Sequence, residues 1–146
     1  MTLEVENLNR RLLRARDAMD RAYAEPLDVR AVAAVACLTE AHFTRKFRAC
    51  FGETPHRYLQ RRRVERAMFL LRETQRSVTH VCFDVGFTSL GSFSRTFRGI
   101  VGETPSQYRQ GHEPLAAPHC FQMSATRPRV AVQPSSFGEA SAAAAP

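Results

Sequence analysis

Two sets of four residues hold the chemistry worth asking about in this 146-residue chain. Ala41, Thr44, Arg45 and Arg48 fall at i, i+3, i+4 and i+7, a spacing that puts them on one side of a helix. Fifty residues later Gly91, Ser94, Arg95 and Arg98 repeat both the spacing and the residue types: small, hydroxyl, Arg, Arg. A small residue lets a helix approach a surface closely. An Arg donates bidentately to phosphate or to the acceptor edge of guanine. One such row is as readily an ordinary solvated basic face. Two matching rows favour recognition of a polyanion.

The rows sit inside a repeated stretch. Phe43 to Gln60 reads FTRKFRACFGETPHRYLQ, and Phe93 to Gln110 reads FSRTFRGIVGETPSQYRQ, with ten of eighteen positions identical. Two copies are too few for a solenoid, so one module is used twice. Each copy carries its own helix punctuation. Thr39 and Ser89 are N-cap candidates, because a short hydroxyl side chain accepts from the free amides of a first turn. Phe43 and Phe47, like Phe93 and Phe97, lie four apart and give each helix an apolar stripe opposite the Arg row. Gly52 and Gly102 supply left-handed C-caps, and Thr54-Pro55 and Thr104-Pro105 start the next helix.

The rest of the chain supplies what must position these helices. Residues 3–24 carry Leu8, Leu12, Ala15, Met19 and Ala22 at helical spacing and stop before Pro26. Asp28 caps a short helix, Val29 to Ala36, followed by a turn at Cys37-Leu38 and the helix from Glu40. A short helix, a brief turn and a helix with a polar outer face make a helix-turn-helix, here spanning 27–53. A second unit spans 77–103: Ser77 as cap, Val78 to Val85, a turn at Gly86-Phe87, and the helix from Leu90. The alignment offset is 49 before this turn and 50 after it, so the second turn holds one extra residue. Gly86 suits a left-handed turn position, and Cys37 at the equivalent place is strained if it shares that conformation. Between the units, 55–73 reads as a connector helix packed against both, with Val64, Ala67, Met68 and Leu71 on one face. Its Arg61, Arg62, Arg63 and Arg66 either meet phosphate or form ion pairs within the chain. The expected fold is therefore all-α, with about seven helices.

Composition narrows the partners. The chain has 21 Lys and Arg against 14 acidic residues, net +7, and the whole excess lies in 1–112. A basic globular part suggests a polyanion. No segment reaches the ~18 apolar residues of a membrane span, and no signal peptide is visible, so a cytoplasmic, nucleoid-associated location is expected and no membrane partner. Residues 113–146 hold five of the eight prolines and an Ala run, which predicts a disordered tail broken only by the short apolar patch His119 to Met123. The four cysteines, Cys37, Cys50, Cys82 and Cys120, fit no zinc spacing and are expected to be buried reduced thiols. His112 and His119 are too isolated to hold a metal. No metal or other cofactor is implied. There is no paired-carboxylate constellation, Gly-rich phosphate loop or Cys/His pair in a fixed setting, so an enzyme is not expected.

The run VTHVCFDVGFTSLGSFSRTFRGIVGETPSQYR, together with the first unit and the connector's Arg63, Ala67, Leu70 and Leu71, resembles the AraC/XylS family of bacterial transcription regulators over roughly residues 5–110. The resemblance implies two homeodomain-like three-helix units held by a central helix. Both recognition helices would enter successive major grooves of double-stranded DNA. It implies base reading by Glu40, Ala41, Thr44 and Arg45, and by Leu90, Gly91, Ser94 and Arg95. Thr39, Arg48, Ser89 and Arg98 would lie at the phosphate backbone. Leu90 and Gly91 offer no hydrogen-bonding side chain, so the second unit would read mainly through Ser94 and Arg95, with Leu90 against a thymine methyl. Glu40 either accepts from cytosine N4 or complements the helix N-terminus, and the second role is favoured. Two units in one chain predict a monomer on an asymmetric site. No separate sensing domain is expected, because the DNA-binding part begins almost at Met1. Control by abundance or through a sensing partner follows. The alternative is a protein-interaction module whose basic helices dock on RNA polymerase, with weak DNA contact. The two can coexist, since activators of the family contact both.

Overall fold

The computed structural model describes residues 2–112, and these form seven helices: α1 Thr2–Arg21, α2 Val29–Val35, α3 Glu40–Phe51, α4 Pro55–Glu73, α5 Val78–Asp84, α6 Leu90–Val101 and α7 Pro105–Gly111. The expected tail at 113–146, its apolar patch and Cys120 lie outside the described residues. α1 stops three residues short of the expected end, and a turn over Ala22–Ala24 leads toward Pro26.

Local chemistry sets nearly every boundary. The side-chain oxygens of Asp28, Thr39, Thr54, Ser77, Ser89 and Thr104 each accept from the amide three residues on. At Thr104 the arrangement is reciprocal, because the Gln107 side chain accepts from the Thr104 amide at 2.9 Å. Each such cap is worth about 1 kcal/mol. Gly52 and Gly102 close α3 and α6 at φ +82° and +97°, where a Cβ would be strained. Cys37 adopts φ +58° at the turn after α2, the one non-Gly residue of the described chain with positive φ.

Two cores form, and they share α4. In the first, Leu12, Ala15 and Met19 of α1 meet Phe43, Phe47, Tyr58 and Leu59. In the second, Val64, Ala67 and Leu71 of α4 meet Val81, Phe93, Phe97 and Tyr108. The aromatic train is the same in both. Phe43, Phe47 and Tyr58 follow at centroid distances of 5.4 and 5.6 Å. Phe93, Phe97 and Tyr108 follow at 5.7 and 5.7 Å. All four Phe rings are fully buried, and each contributes roughly 2–3 kcal/mol by leaving water.

The connector is thus two half-repeats fused in one helix. Its N-terminal part, Thr54-Pro55 to Tyr58, does for the first unit what Thr104-Pro105 to Tyr108 does for the second. Its C-terminal part repeats α1. Arg63, Val64, Arg66, Ala67 and Leu71 stand 52 residues after Arg11, Leu12, Arg14, Ala15 and Met19. This third stretch of repeat escapes a search at offsets of 49 and 50.

Arg61, Arg62, Arg63 and Arg66 of the connector are bound within the chain, whereas the side chain of Arg57 near its start has no partner among the described residues. Arg61 pairs with Glu53 and Glu65, both at 2.7 Å. Arg62 reaches Glu65 at 2.8 Å and Asp20 at 3.2 Å. Arg63 donates to two carbonyls, and Arg66 lies over the Phe69 ring. Asp20 also accepts from the Tyr58 hydroxyl at 2.7 Å, which ties α1 to α4.

The cysteines correct the expectation of buried thiols. Cys82 is buried in the second core, but Cys37 and Cys50 are exposed. Cys37 occupies the left-handed turn and so points away from the core. Cys50 lies at the exposed edge of α3 next to α1, where its thiol donates to the Asn9 Oδ1 at 3.9 Å.

Candidate nucleic-acid interface

Burial of Phe43 and Phe47 fixes the rotation of α3, and with it the outward face. Glu40, Ala41, Arg45 and Arg48 are exposed, and Thr44 is half-buried. α6 repeats this arrangement: Leu90, Gly91, Arg95 and Arg98 are exposed, and Ser94 is half-buried beside Phe93 and Phe97. Each predicted row is therefore gathered on one solvent-facing strip of its own helix.

The arginines of the two rows differ from Arg61, Arg62 and Arg63 of the connector. Arg10, Arg14, Arg21, Arg30 and Arg57 also lack side-chain partners among the described residues, so it is the matched spacing that singles the rows out. Among the described residues Arg45, Arg48, Arg95 and Arg98 have no ion-pair, hydrogen-bond or ring partner, whereas Arg61, Arg62 and Arg63 are all engaged. A guanidinium has five donors in a rigid fork. Four forks without partners, on two matching helices, make a surface that gains hydrogen bonds only by meeting an external acceptor.

Smaller residues tune the two strips. The Thr44 hydroxyl donates to the Glu40 carbonyl at 3.0 Å, which uses its proton. Its oxygen is left to accept, which suits the N4 amine of cytosine or the N6 amine of adenine, and its methyl is free for apolar contact. Arg95 lies back over Gly91, where a Cβ would stand 3.5 Å from its Nη1. The guanidinium thus lies over the α6 backbone at Gly91, where the lack of a side chain leaves room for it. Leu90 keeps 41% of its surface exposed, a large apolar side chain at the leading edge of α6. Thr39 and Ser89 accept from the His42 and Ser92 amides at 3.4 and 3.2 Å. Their hydroxyl protons stay available to an outside acceptor such as a phosphate oxygen. Glu40 stands in the first turn of α3, where a carboxylate offsets the positive helix end.

Lys46 was missed by the row pattern. It is exposed on α3 and has no partner among the described residues, but at i+5 from Ala41 it falls off the row. Its counterpart in α6 is the neutral Thr96, and because Glu40 offsets Lys46 the two helices carry equal net charge. Among the described residues no cluster of three or more His, Cys, Asp or Glu could hold a metal. No described helix is long and apolar enough to cross a membrane.

Comparisons with known proteins agree with this architecture. A family profile described as a helix-turn-helix domain matches residues 32–111. The transcriptional activator RhaS of Escherichia fergusonii is 35% identical over 82 residues. That match covers 56% of this chain and 30% of RhaS, so the chain spans about a third of the relative's length. The DNA-binding domain of AdpA, a global transcriptional factor solved in complex with a target DNA, superposes with TM-score 0.66 at 28% identity. The match covers 82% of this chain and 98% of that domain. An AraC-type regulator from Chromobacterium violaceum gives TM-score 0.67 at 28% identity, over 75% of this chain and 96% of its own. The shared fold, the doubled unit and the profile match lead to one conclusion: this chain belongs to the AraC-type family of helix-turn-helix DNA-binding domains of transcription regulators.

Proposed function

We propose that this chain reads a DNA sequence by placing α3 and α6 in successive major grooves of an asymmetric site. The observation that carries the reading is the pair of matched strips whose four arginines have no partner among the described residues. Glu40, Ala41, Thr44 and Arg45 face bases from the first unit, and Leu90, Gly91, Ser94 and Arg95 from the second. Thr39, Arg48, Ser89 and Arg98 hold the phosphates on either side. Phosphate contacts set orientation while base-edge contacts set sequence. Thr44 accepts from cytosine or adenine, Arg45 and Arg95 donate to guanine, and Leu90 meets a thymine methyl. The neighbour solved on its target DNA supports this use of the fold. One chain suffices, because it already contains two reading units.

Selection from a random duplex library with the full chain at two salt concentrations tests the reading. The expected result is one motif with two conserved blocks separated by about one helical turn. Absence of any motif, with affinity that collapses as salt rises, would leave phosphate attraction alone and refute sequence reading.

A further inference from the structure

The two units are copies, so the places where they differ in length are informative. From Met19 to Val29 the first unit takes ten steps, while from Leu71 to Val78 the second takes seven. The α1–α2 connection is therefore three residues longer than its counterpart. The second difference is the extra residue in the α5–α6 turn, where Phe87-Thr88 stands against Leu38 alone.

These two differences meet in space. Gly86, in the longer turn, has φ +101°, and a Cβ there would lie 2.8 Å from the Ala24 carbonyl oxygen and 2.9 Å from the Ala24 Cα. The longer loop of one unit thus rests directly on the longer turn of the other. Arg63 fills the corner between them. Its Nε donates to the Tyr23 carbonyl and its Nη2 to the Glu25 carbonyl, both at 2.7 Å, and its guanidinium lies 5.8 Å from the Phe87 ring centroid. The Tyr23 ring packs against both cores.

Arg11 is the control that the repeat supplies. It holds the same helical position 52 residues earlier, yet it donates to Ala36 and Cys37 of its own unit. Arg63 has left that local role and binds the backbone of the other unit. A guanidinium fork fixes both distance and angle, which a single flexible amine does not.

From this we infer that Arg63, the Tyr23–Glu25 backbone and the Gly86-Phe87 turn form an inter-unit clamp that sets the distance and rotation between α3 and α6, and so selects the separation of the two sequence blocks. Arg63 is a positioning residue in this role. The inference rests on the DNA-reading proposal for its consequence, but the clamp itself is a property of the chain alone.

The test uses the full chain and its Arg63→Lys and Phe87→Leu variants, each first shown to melt cooperatively. Affinity is measured on three duplexes carrying the selected motif at its native separation, one base pair shorter and one base pair longer. One base pair turns the second block by about a tenth of a helical turn. The native chain is expected to lose roughly tenfold or more on either altered duplex, and Arg63→Lys to reduce that discrimination to about threefold or less while keeping its charge. Phe87→Leu shifts the preference in the same direction by a smaller factor. In parallel, spin labels on encoded non-natural residues at Lys46 and Thr96 report the separation of α3 and α6 without DNA. The distance distribution is expected to be narrow in the parent and broader in Arg63→Lys. Either readout staying at the parent value in Arg63→Lys overturns the proposal, including an equal loss of affinity on all three duplexes. If the parent selects no motif, the DNA-reading proposal has failed and the distance distribution decides the clamp by itself.

Discussion

In the proposed reading, single residues on α3 and α6 divide into those that read and those that hold. Arg45 and Arg95 directly follow a hydroxyl residue midway along each helix, and Arg48 and Arg98 sit a turn further along. Replacing Arg45 or Arg95 by Ala is expected to weaken binding to the selected site by about 1–3 kcal/mol and to relax one base position. Quantitative binding on matched and mismatched duplexes checks it, and equal loss on every sequence would make these residues phosphate contacts. Cys37 offers a stability prediction of the same scale. It is exposed and held at φ +58°, where a Cβ crowds the following carbonyl. Cys37→Gly removes that crowding but adds chain freedom to the unfolded state, for a net gain of about 0.5–1 kcal/mol. Denaturant unfolding reads this directly, and a lower midpoint would show that the thiol makes a contact of value. The left-handed turn was legible in the sequence because Gly86 marked it in the other copy. The exposure of Cys37 and Cys50 was not: the left-handed turn carries Cys37 out of its helix, and Cys50 sits at the edge of α3, where a small residue between apolar neighbours reads the same turned in or out.

At the level of elements, the boundaries were the most legible feature. Asp28, Thr39, Thr54, Ser77, Ser89 and Thr104 are short polar residues set just before apolar-periodic runs, and each is an observed cap. The connector was harder. Its apolar positions announced a helix packed on two sides, but four arginines obscured which side faced what. Charge pairing depends on Glu53 and Asp20, which lie on other segments and come near only in the fold. The docking of α1 on α4 through Tyr58 and Asp20 gives a pH prediction. Burial, then the hydrogen bond to Asp20, push the Tyr58 hydroxyl up to about 12 from its usual 10.0. The neutral phenol is favoured in the folded state, so the stabilisation is complete below pH 10 and is lost as pH rises from there toward 12. Tyr58→Phe removes the donor and leaves Asp20 its contact with Arg62. The variant is expected to be less stable than the parent at pH 7, with the difference narrowing above pH 10. A difference constant across that range would show that the phenol titrates alike in the folded and unfolded states, so that neither burial nor Asp20 shifts it.

The whole molecule is a duplicated unit whose copies are joined by overlap. α4 closes the first core with Tyr58 and opens the second with Val64 and Ala67, so neither unit has a complete core without it. The net charge of +7 lies within the described part of the chain and its first residue, which draws the molecule toward DNA before any base is read. In the proposed reading, two joined readers make the second contact intramolecular once the first has formed. The gain is an effective concentration, set by how well the fixed separation of α3 and α6 matches successive grooves about 34 Å apart. A duplex carrying both blocks is therefore expected to bind one chain, with affinity exceeding that of a duplex carrying either block alone by about 10²–10⁴-fold. Analytical ultracentrifugation of the complex gives the stoichiometry, and titration of the three duplexes gives the ratio. Two chains on the two-block duplex, or one-block duplexes that bind as tightly as the full site, would mean that the second copy of the unit serves assembly or stability and does not read DNA alongside the first.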